Sequence, residues 1–178
     1  MNISALISGC KKNDRKCQKT LFDTFGPRFL SVSKRYMKTE ADAEDALIQG
    51  FYNIFSKIDQ FKGEGNFEGW MRRVIVNQCL MMLRKRVNFT LQVEINNLEI
   101  KTPVTVEDDL GYKELLKLLE FLPTGYRTVF NLYVIEGYKH REIAEILDIS
   151  INTSKSQLIL AKKRMRELIK KKHKAYVS

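Results

Sequence analysis

The residues best suited to chemistry with a partner lie in residues 140–168, HREIAEILDISINTSKSQLILAKKRMREL. Two helical patterns meet there at a three-residue break, residues 148–150. One face of the second helix carries Asn152, Lys155, Ser156, Ile159 and Lys163. Amide, ammonium and hydroxyl groups can bond base edges and phosphates, and aliphatic groups can contact thymine methyls. The pattern is typical of a DNA-recognition helix; the rival interpretation is an αα-hairpin with a solvated basic face.

The break and the opposite face of the second helix also fit a helix–turn–helix. Asp148 tolerates a positive φ better than most residues, Ile149 is expected to point into the core, and Ser150 can cap the second helix. The predicted core stripe of that helix is Ile151, Leu158, Ala161, Met165 and Leu168, with the small Ser154 filling a gap. These features predict a helix that docks on its own domain and presents its other face to the major groove.

A second candidate site begins at a glycine-containing loop, GEGNFEGW, residues 63–70. Separating DNA strands costs a few kcal/mol for each unstacked base, so a protein that does so must replace the lost stacking. Trp70 could supply an aromatic surface, although it could equally be a core residue. The basic residues that follow the loop, and that can hold phosphates, are Arg72, Arg73, Arg84, Lys85 and Arg86.

Other residues limit the kinds of chemistry that the chain can perform. Asp42, Glu44 and Asp45 begin a predicted helix, where negative charge stabilises the helix dipole. The sequence has no carboxylate cluster with metal spacing, no glycine-rich phosphate loop and no Ser/His or Cys/His nucleophile arrangement. Three cysteines without a CxxC pair and two histidines argue against a structural zinc site. We therefore expect no enzyme activity, no cofactor and reduced cysteines, with Cys79 buried.

The elements that must position these groups are predicted to be helices. Amphipathic spacing marks residues 42–58 and 66–86, and a third helix is expected to begin at Pro123, run through Ile135 and end at Gly137. The predicted core residues of the first helix are Ala43, Ala46, Leu47, Phe51, Ile54, Phe55 and Ile58. Those of the second are Phe67, Met71, Val74, Ile75, Gln78, Met82 and Leu83.

The distribution of charge divides the chain into three segments. Residues 1–87 hold 16 basic and 9 acidic residues, a net charge of +7, and residues 112–178 hold 14 and 7, again +7. Residues 88–111 hold one basic and five acidic residues, a net charge of −4. We predict an all-α fold of two small helical domains, 1–87 and 112–178, joined by a flexible linker, the second being a four-helix helix–turn–helix domain. A short hairpin is the rival for residues 88–111, because TLQVEI alternates weakly.

The total charge and the apolar pattern indicate the partner and the compartment. The 31 basic residues exceed the 21 acidic ones, so the net charge is +10. This excess suits a polyanion such as nucleic acid or an anionic membrane surface, and on charge alone nucleic acid is only slightly favoured over a soluble protein that merely has a basic surface. No stretch approaches the ~20 apolar residues of a membrane helix, and the N-terminal charges follow the apolar residues, the reverse of a secretory signal. We expect a cytoplasmic protein that does not insert into membranes.

Three segments in this order, residues 17–61 with DAEDA, 61–86 with FKGEGNFEGW and 122–168 with LPTGYRTVF, resemble bacterial RNA polymerase sigma factors of the extracytoplasmic-function (ECF) group. The resemblance covers roughly residues 10–87 and 112–170. It implies a non-enzymatic factor that binds core polymerase at its clamp coiled coil and flap, and that recognises −35 and −10 promoter elements. It also implies a role in melting the promoter, contact with duplex DNA and the melted non-template strand, and possible control by an anti-sigma factor.

The resemblance also implies roles for individual residues. Polymerase-binding positions fall on Asp42, Glu44, Asp45, Gln49 and Phe51. Positions that recognise or open the −10 element fall on Asn66, Trp70, Arg72, Arg73, Asn77 and Arg84. Positions that contact the −35 element fall on Asn152, Thr153, Lys155, Ser156, Gln157, Ile159, Leu160 and Lys163.

The sequence departs from the family pattern in the second helix of the helix–turn–helix. Leu160 stands near a position where basic residues are frequent, Gln157 stands where Arg is usual, and Ser154 replaces a usual Val. Leu and Ile cannot donate to guanine, so we predict few guanine contacts in the −35 element. The alternative function is a regulator that binds duplex DNA by itself, with the first domain acting as a sensor or dimerisation unit.

Overall fold

The computed structural model describes residues 2–86 and 112–177. Within these ranges every regular element is a helix, so the predicted all-α fold is confirmed. The chain divides into two compact units, Met1–Arg86 and Val87–Ser178. The choice between a linker and a hairpin for residues 88–111 lies outside the described residues, and the functional limits of the domains stay a prediction.

The first unit is a helical bundle that ends at the predicted glycine loop. Its elements are α1 (Ile3–Lys11), α2 (Arg15–Tyr36), α3 (Glu40–Lys57), a 3₁₀ turn (Ile58–Gln60) and α4 (Phe67–Arg86). Helices α2, α3 and α4 pack on one another, whereas α1 packs on α2 and on the 3₁₀ turn. The first three helices begin at the side-chain caps Asn2, Asp14 and Thr39, each of which accepts a backbone N–H of the first turn.

The core of the first unit follows the predicted stripes. In α3 and the 3₁₀ turn that follows it, the predicted residues are buried, except that Phe55 is half-buried. In α4 they are buried apart from Val74 and Met82, which are half-buried, and Cys79 is buried as predicted. Each fully buried aliphatic or aromatic side chain contributes about 1.5–3 kcal/mol, so these stripes hold the bundle together.

The second unit contains the predicted helix–turn–helix. Its elements are α5 (Tyr112–Leu119), α6 (Thr124–Phe130), a π turn (Asn131–Ile135), α7 (His140–Leu147) and α8 (Ile151–Val177). The helix expected from Pro123 to Ile135 is confirmed, since Pro123 takes the N-cap position and Gly137 follows the π turn with a φ of 79°. Helices α5, α6 and α7 each pack on α8, which places α8 at the centre of the unit.

The predicted core stripe of α8 needs one correction. Ser154, Leu158, Ala161 and Met165 are buried and Leu168 is half-buried, as expected. Ile151 is instead 44% exposed, because it is the first residue of α8, where the helix leaves the turn.

Within residues 2–86 and 112–177, no helix is both long enough and apolar enough to cross a membrane.

Candidate nucleic-acid interface

The turn between α7 and α8 has the backbone that the sequence predicts. Asp148 adopts the left-handed conformation, with a φ of 55° and a ψ of 52°. The N–H of Ile149 donates to the carbonyl oxygen of Ala144 at 3.0 Å, and the Ile149 side chain is half-buried. The N–H of Thr153 donates to Ser150 Oγ at 2.9 Å, so the predicted cap of α8 is confirmed. This turn fixes the direction in which α8 leaves α7.

The outer face of α8 presents the side chains that the sequence singled out for DNA. Asn152, Lys155 and Lys163 are exposed, whereas Ser156 and Ile159 between them are half-buried. Their spacing of three and four residues places them on one side of the helix. Thr153 and Leu160 are half-buried to one side of this face, and the Thr153 hydroxyl lies 2.8 Å from Ser150 Oγ. The face therefore combines amide, ammonium, hydroxyl and aliphatic groups.

The inner side of α8 is tied to α7 by His140. The Nδ1 atom of His140 lies 2.9 Å from Ser154 Oγ, and the imidazole stacks on Tyr133 with ring centroids 4.5 Å apart. The pKa of His140 is lowered below its ordinary value, first by burial and then by the positive charges of Lys155 and Lys162. The same positive field would attract the phosphates of DNA to this surface.

In the first unit, a cavity of about 550 Å³ lies beside the glycine loop. Phe61 and Phe67 flank the loop and line the cavity, and Phe25 of α2 lines it as well. Gly63 and Gly65 have φ values of 81° and 79°, a conformation that glycine adopts at little cost. The loop ends where Asn66 Oδ1 accepts the N–H of Glu68 at 2.9 Å and thereby caps α4. The cavity is thus bounded by aromatic rings and a loop with a defined backbone.

Trp70 belongs to an aromatic cluster next to this cavity. Its ring stacks on Phe67 with centroids 5.7 Å apart and lies 5.8 Å from the Phe61 ring. The Trp70 side chain is half-buried, so the residue both packs and remains partly accessible. Packing against neighbouring rings would hold the indole in place for any partner that stacks on it.

One side of α4 carries polar and basic groups in the open. Arg73, Asn77 and Arg84 are exposed and recur at spacings of four and seven residues, which places them on one face of the helix. Arg72 is half-buried on a different side. We call the surface formed by Arg73, Asn77 and Arg84 the α4 basic face; its cations and amide are suited to phosphates and base edges.

A different kind of surface lies on the outside of α3. It is formed by Glu44, Asp45, Ile48, Gln49 and Tyr52, and we call it the α3 outer face. Ile48 and Tyr52 are 63% and 65% exposed, which is high for large apolar side chains. Asp42 lies in the first turn and is half-buried; its N–H donates to the Thr39 cap at 3.1 Å. Exposed apolar side chains with polar groups around them are typical of a protein–protein contact.

The described residues contain no group of three or more His, Cys, Asp or Glu side chains that could hold a metal ion. The three cysteines, which all lie in the described part of the first unit, are not joined by disulfide bonds. Burial, together with Cys17 and Asp14, raises the pKa of the Cys10 thiol to about 11. Cys10 is therefore a protonated core residue at neutral pH rather than a nucleophile.

Two sequence families match this arrangement of units. The family described as Sigma-70 region 2 matches residues 21–88, and the family described as Sigma-70, region 4 matches residues 112–165. Together they cover more than half of the chain, with region 2 preceding region 4. The chain belongs to the ECF group of RNA polymerase sigma factors.

Individual relatives span nearly the whole of this sigma factor. The ECF RNA polymerase sigma-E factor of Haemophilus influenzae is 26% identical over 181 residues, covering 94% of this chain and 93% of its own. The factor SigW of Bacillus subtilis is 25% identical over 183 residues, covering 96% and 98%. In fold, the chain is similar to the sigma factor RpoE of Bartonella quintana, solved with the anti-sigma factor NepR. That similarity has a TM-score of 0.52 and 20% identity, covering 85% of this chain and 96% of that one.

The family assigns a general function to the chain. An ECF sigma factor is a non-enzymatic subunit that directs RNA polymerase in transcription initiation. In this sigma factor, the glycine loop and the α4 basic face lie within region 2, whereas α7, the turn and most of α8 lie within region 4. Helix α1 and the start of α2 precede the region 2 match.

The burial of two residues disagrees with their predicted roles. Phe51 is 2% exposed and its ring packs against Phe22, so it belongs to the core and not to the α3 outer face. Gln157 is 4% exposed, and a Cβ added at Gly125 would meet its Oε1 at 3.1 Å, so it packs against α6 and not against DNA. The roles of the other predicted residues stay predictions.

Sequence reasoning missed two features of the first unit, one on the α3 outer face and one at the cavity beside the glycine loop. Ile48 and Tyr52 flank Gln49 on the α3 outer face, and helical spacing from Asp45 could have found them. Residues of α1 also line the cavity beside the glycine loop. No local pattern in the sequence predicts this contact.

Proposed function

We propose that this sigma factor reads duplex −35 DNA with the outer face of α8 and captures the melted −10 strand with its first unit. The observation that carries this proposal is the pairing of a capped helix–turn–helix with a separate unit containing an aromatic-lined cavity beside a basic helix face. Lys155, Ser156 and Ile159 contact base edges in the major groove, and Lys163 contacts phosphate. Asn152, Thr153 and Leu160 form the rim of that contact.

In the first unit, the non-template strand crosses the α4 basic face. Asn77 contacts a base, and Arg73 and Arg84 hold phosphates. Asn66 uses its oxygen to cap α4, so its amino group is the part that faces DNA. Trp70 offers the accessible part of its ring as a stacking surface for an unpaired base. Arg72, being half-buried, supports the face from the side.

Core polymerase binds the α3 outer face through its clamp coiled coil, and the second unit contacts its flap. Glu44, Asp45 and Gln49 supply polar groups, and Ile48 and Tyr52 supply the apolar centre that a stable contact needs. Asp42 supports this face from the first turn of α3.

An anti-sigma factor is a further partner, because the similar RpoE was solved together with one, NepR. Such an inhibitor would act by covering a surface that polymerase or DNA requires. A protein that works with RNA polymerase works in the cytoplasm, in agreement with the compartment expected from the sequence. The alternative of a stand-alone regulator is set aside, because it gives no role to a region 2 match over residues 21–88.

The experiment is transcription by purified core polymerase, with and without this protein, on promoter fragments from its own genome. Wild type is compared with Lys155→Ala and Asn77→Ala. We expect initiation at defined start sites that requires the protein and falls by about fivefold or more in each variant, because each loses a base contact worth about 1–3 kcal/mol. Lys117→Ala, an exposed lysine of α5, is the matched control and should initiate normally.

Two results would contradict the proposal. In one, the protein binds duplex DNA tightly alone and has no effect on core polymerase. In the other, Lys155→Ala and Asn77→Ala initiate at the wild-type level.

A further inference from the structure

Helix α8 continues well past the end of the region 4 match. That match ends at residue 165, whereas α8 spans Ile151–Val177. We call residues 166–177 the α8 extension. Leu168 and Ile169 are half-buried, so the extension keeps one side against its own unit. Arg166 and Lys170 on another side are exposed and available to a partner.

The basic residues of α8 are concentrated toward this extension. Residues 151–161 contain one, Lys155, whereas residues 162–174 contain eight. Glu167 is the only acidic residue between positions 151 and 177, and its carboxylate pairs with Arg164 at 2.9 Å. No acidic residue of α8 itself therefore offsets the charge of the other basic residues.

Two exposed cations of the extension continue the outer face of α8. Arg166 follows Lys155 by eleven residues, and Lys170 follows Ile159 by the same number. Eleven residues complete about three turns of an α-helix, so each pair lies on one side of the helix. Arg164 and Lys171 are also exposed, but their positions in the helical repeat place them on a different side.

The length of α8 determines what these two cations can reach. At a rise of about 1.5 Å for each residue, Arg166 lies about 17 Å and Lys170 about 22 Å along the axis from Lys155. The major groove of B-DNA is about 12 Å wide. With Lys155 and Ile159 in the groove, both cations lie beyond its edge. The groups that border a groove are the phosphates of the backbone, and they attract cations whatever the sequence.

We propose that the α8 extension binds the DNA backbone outside the −35 element, with Arg166 and Lys170 each holding a phosphate. This inference rests on the proposed function, because it requires the outer face of α8 to lie in the major groove. It adds a contact surface beyond the region 4 match that raises affinity without reading bases. The backbone thereby supplies affinity to a helix that carries a single cation among its base-facing residues.

The test uses holoenzyme reconstituted from core polymerase and the full-length chain, and it measures affinity for promoter DNA. Arg166→Gln and Lys170→Gln should each weaken binding by about two- to tenfold at about 0.15 M salt, because each removes one phosphate contact. The loss should be the same on promoters with different −35 sequences, and each variant should reduce the slope of log K against log salt by about one.

The neighbouring exposed residues provide matched controls for the loss of charge. Arg164→Gln and Lys171→Gln remove the same charges from a different side of α8 and should bind promoter DNA like wild type. Arg166→Lys keeps the charge and should restore most of the affinity. Thermal unfolding and a binding titration against core polymerase should be unchanged in every variant, which separates DNA contacts from effects on folding or assembly.

A second measurement locates the contacts on the DNA. Single phosphates on either side of the −35 element are replaced, one at a time, by uncharged methylphosphonates. The defect of Arg166→Gln should vanish when one particular phosphate outside the element is neutral, because that contact is then already lost. The defect of Lys170→Gln should vanish at a phosphate further from the element, since Lys170 lies one turn further along α8.

The inference is overturned if Arg166→Gln and Lys170→Gln bind DNA like the two controls, or if no methylphosphonate removes their defects. Weaker binding to core polymerase with normal contact to DNA would also overturn it, since the extension would then face the polymerase. If it fails while Lys155→Ala still weakens promoter binding, the proposed function stands. If Lys155→Ala also binds like wild type, the proposed reading of the −35 element by α8 is itself wrong.

Discussion

At the scale of single residues, His140 connects three elements of the second unit. It begins α7, stacks on Tyr133 of the π turn and shares a hydrogen bond with Ser154 of α8. Ser154 immediately precedes Lys155, the first exposed cation on the outer face of α8. His140 therefore links α7, the π turn and α8, and burial together with the positive charges of Lys155 and Lys162 lowers its pKa.

We predict that acidification destabilises the second unit through His140. The pKa of His140 in the folded chain lies below its ordinary value, near 6.5, which the unfolded chain retains. The unfolded state thus binds the proton more readily, and stability falls as pH drops below about 6.5 toward the folded pKa, while it is constant above that window. The free energy of unfolding of wild type and His140→Gln, measured between about pH 5.5 and 7.5, should show a shallower acid loss in the variant. Equal pH dependence in both proteins would refute the role of His140.

The residues that sequence reasoning placed correctly are those whose roles are local. Asp148 and Ser150 act through their own backbone or through one N–H three residues away, and short sequence patterns encode such interactions. Phe51 was correctly predicted from helical spacing as a core residue, and its burial disagrees only with the polymerase-binding role that the resemblance implied. Gln157 was predicted to contact DNA, but it packs against α6 at Gly125, a contact between two helices that spacing within α8 does not encode.

At the scale of elements, α3 has one buried side and one exposed side. Its inner stripe, including Phe51, is in the core, and its α3 outer face exposes Ile48 and Tyr52. Phe51 and Tyr52 are neighbours in the chain, yet the first is buried and the second is exposed.

We predict opposite consequences for truncating these two neighbours. Phe51→Ala should lower the free energy of unfolding by about 3–5 kcal/mol, because it empties a well-packed core site. Tyr52→Ala should change stability by less than about 0.5 kcal/mol but weaken binding to core polymerase by about tenfold, as expected for a central aromatic contact. Urea unfolding and a binding titration against core polymerase measure the two quantities. A stable Phe51→Ala, or a Tyr52→Ala that binds core polymerase normally, would contradict this division of α3.

Some elements were beyond what the sequence could predict. The pair Gly26–Pro27 usually marks a turn, yet α2 continues through it from Arg15 to Tyr36, because packing against α3 and α4 outweighs the local preference. The position of α1 beside the cavity could not be predicted either, because its Lys11 bonds to Phe61, fifty positions away in the chain. The helix–turn–helix, by contrast, was predictable because its break, cap and apolar stripe all lie within thirty residues.

At the scale of the whole molecule, the distribution of charge matches the division into units. Residues 1–87 and 112–178 each carry +7, and residues 88–111 carry −4. Each unit therefore carries enough positive charge to attract DNA by itself, as the proposed contact with two promoter elements requires.

We predict that promoter binding by the holoenzyme falls steeply with salt and that single phosphate contacts can be counted from the slope. Lys163→Ala should reduce the slope of log K against log salt by about one, because one fewer counterion is released. Lys117→Ala should leave the slope unchanged. A slope that Lys163→Ala does not alter would mean that this lysine faces solvent in the complex.

The position of Trp70 gives this chain an intrinsic optical probe. It is the single tryptophan in the sequence, and it lies in the aromatic cluster beside the glycine loop. Its emission therefore reports on the first unit alone, whatever happens around α8. Entry of a strand near the loop is expected to quench this emission in the unlabelled protein, whereas an event confined to α8 is not.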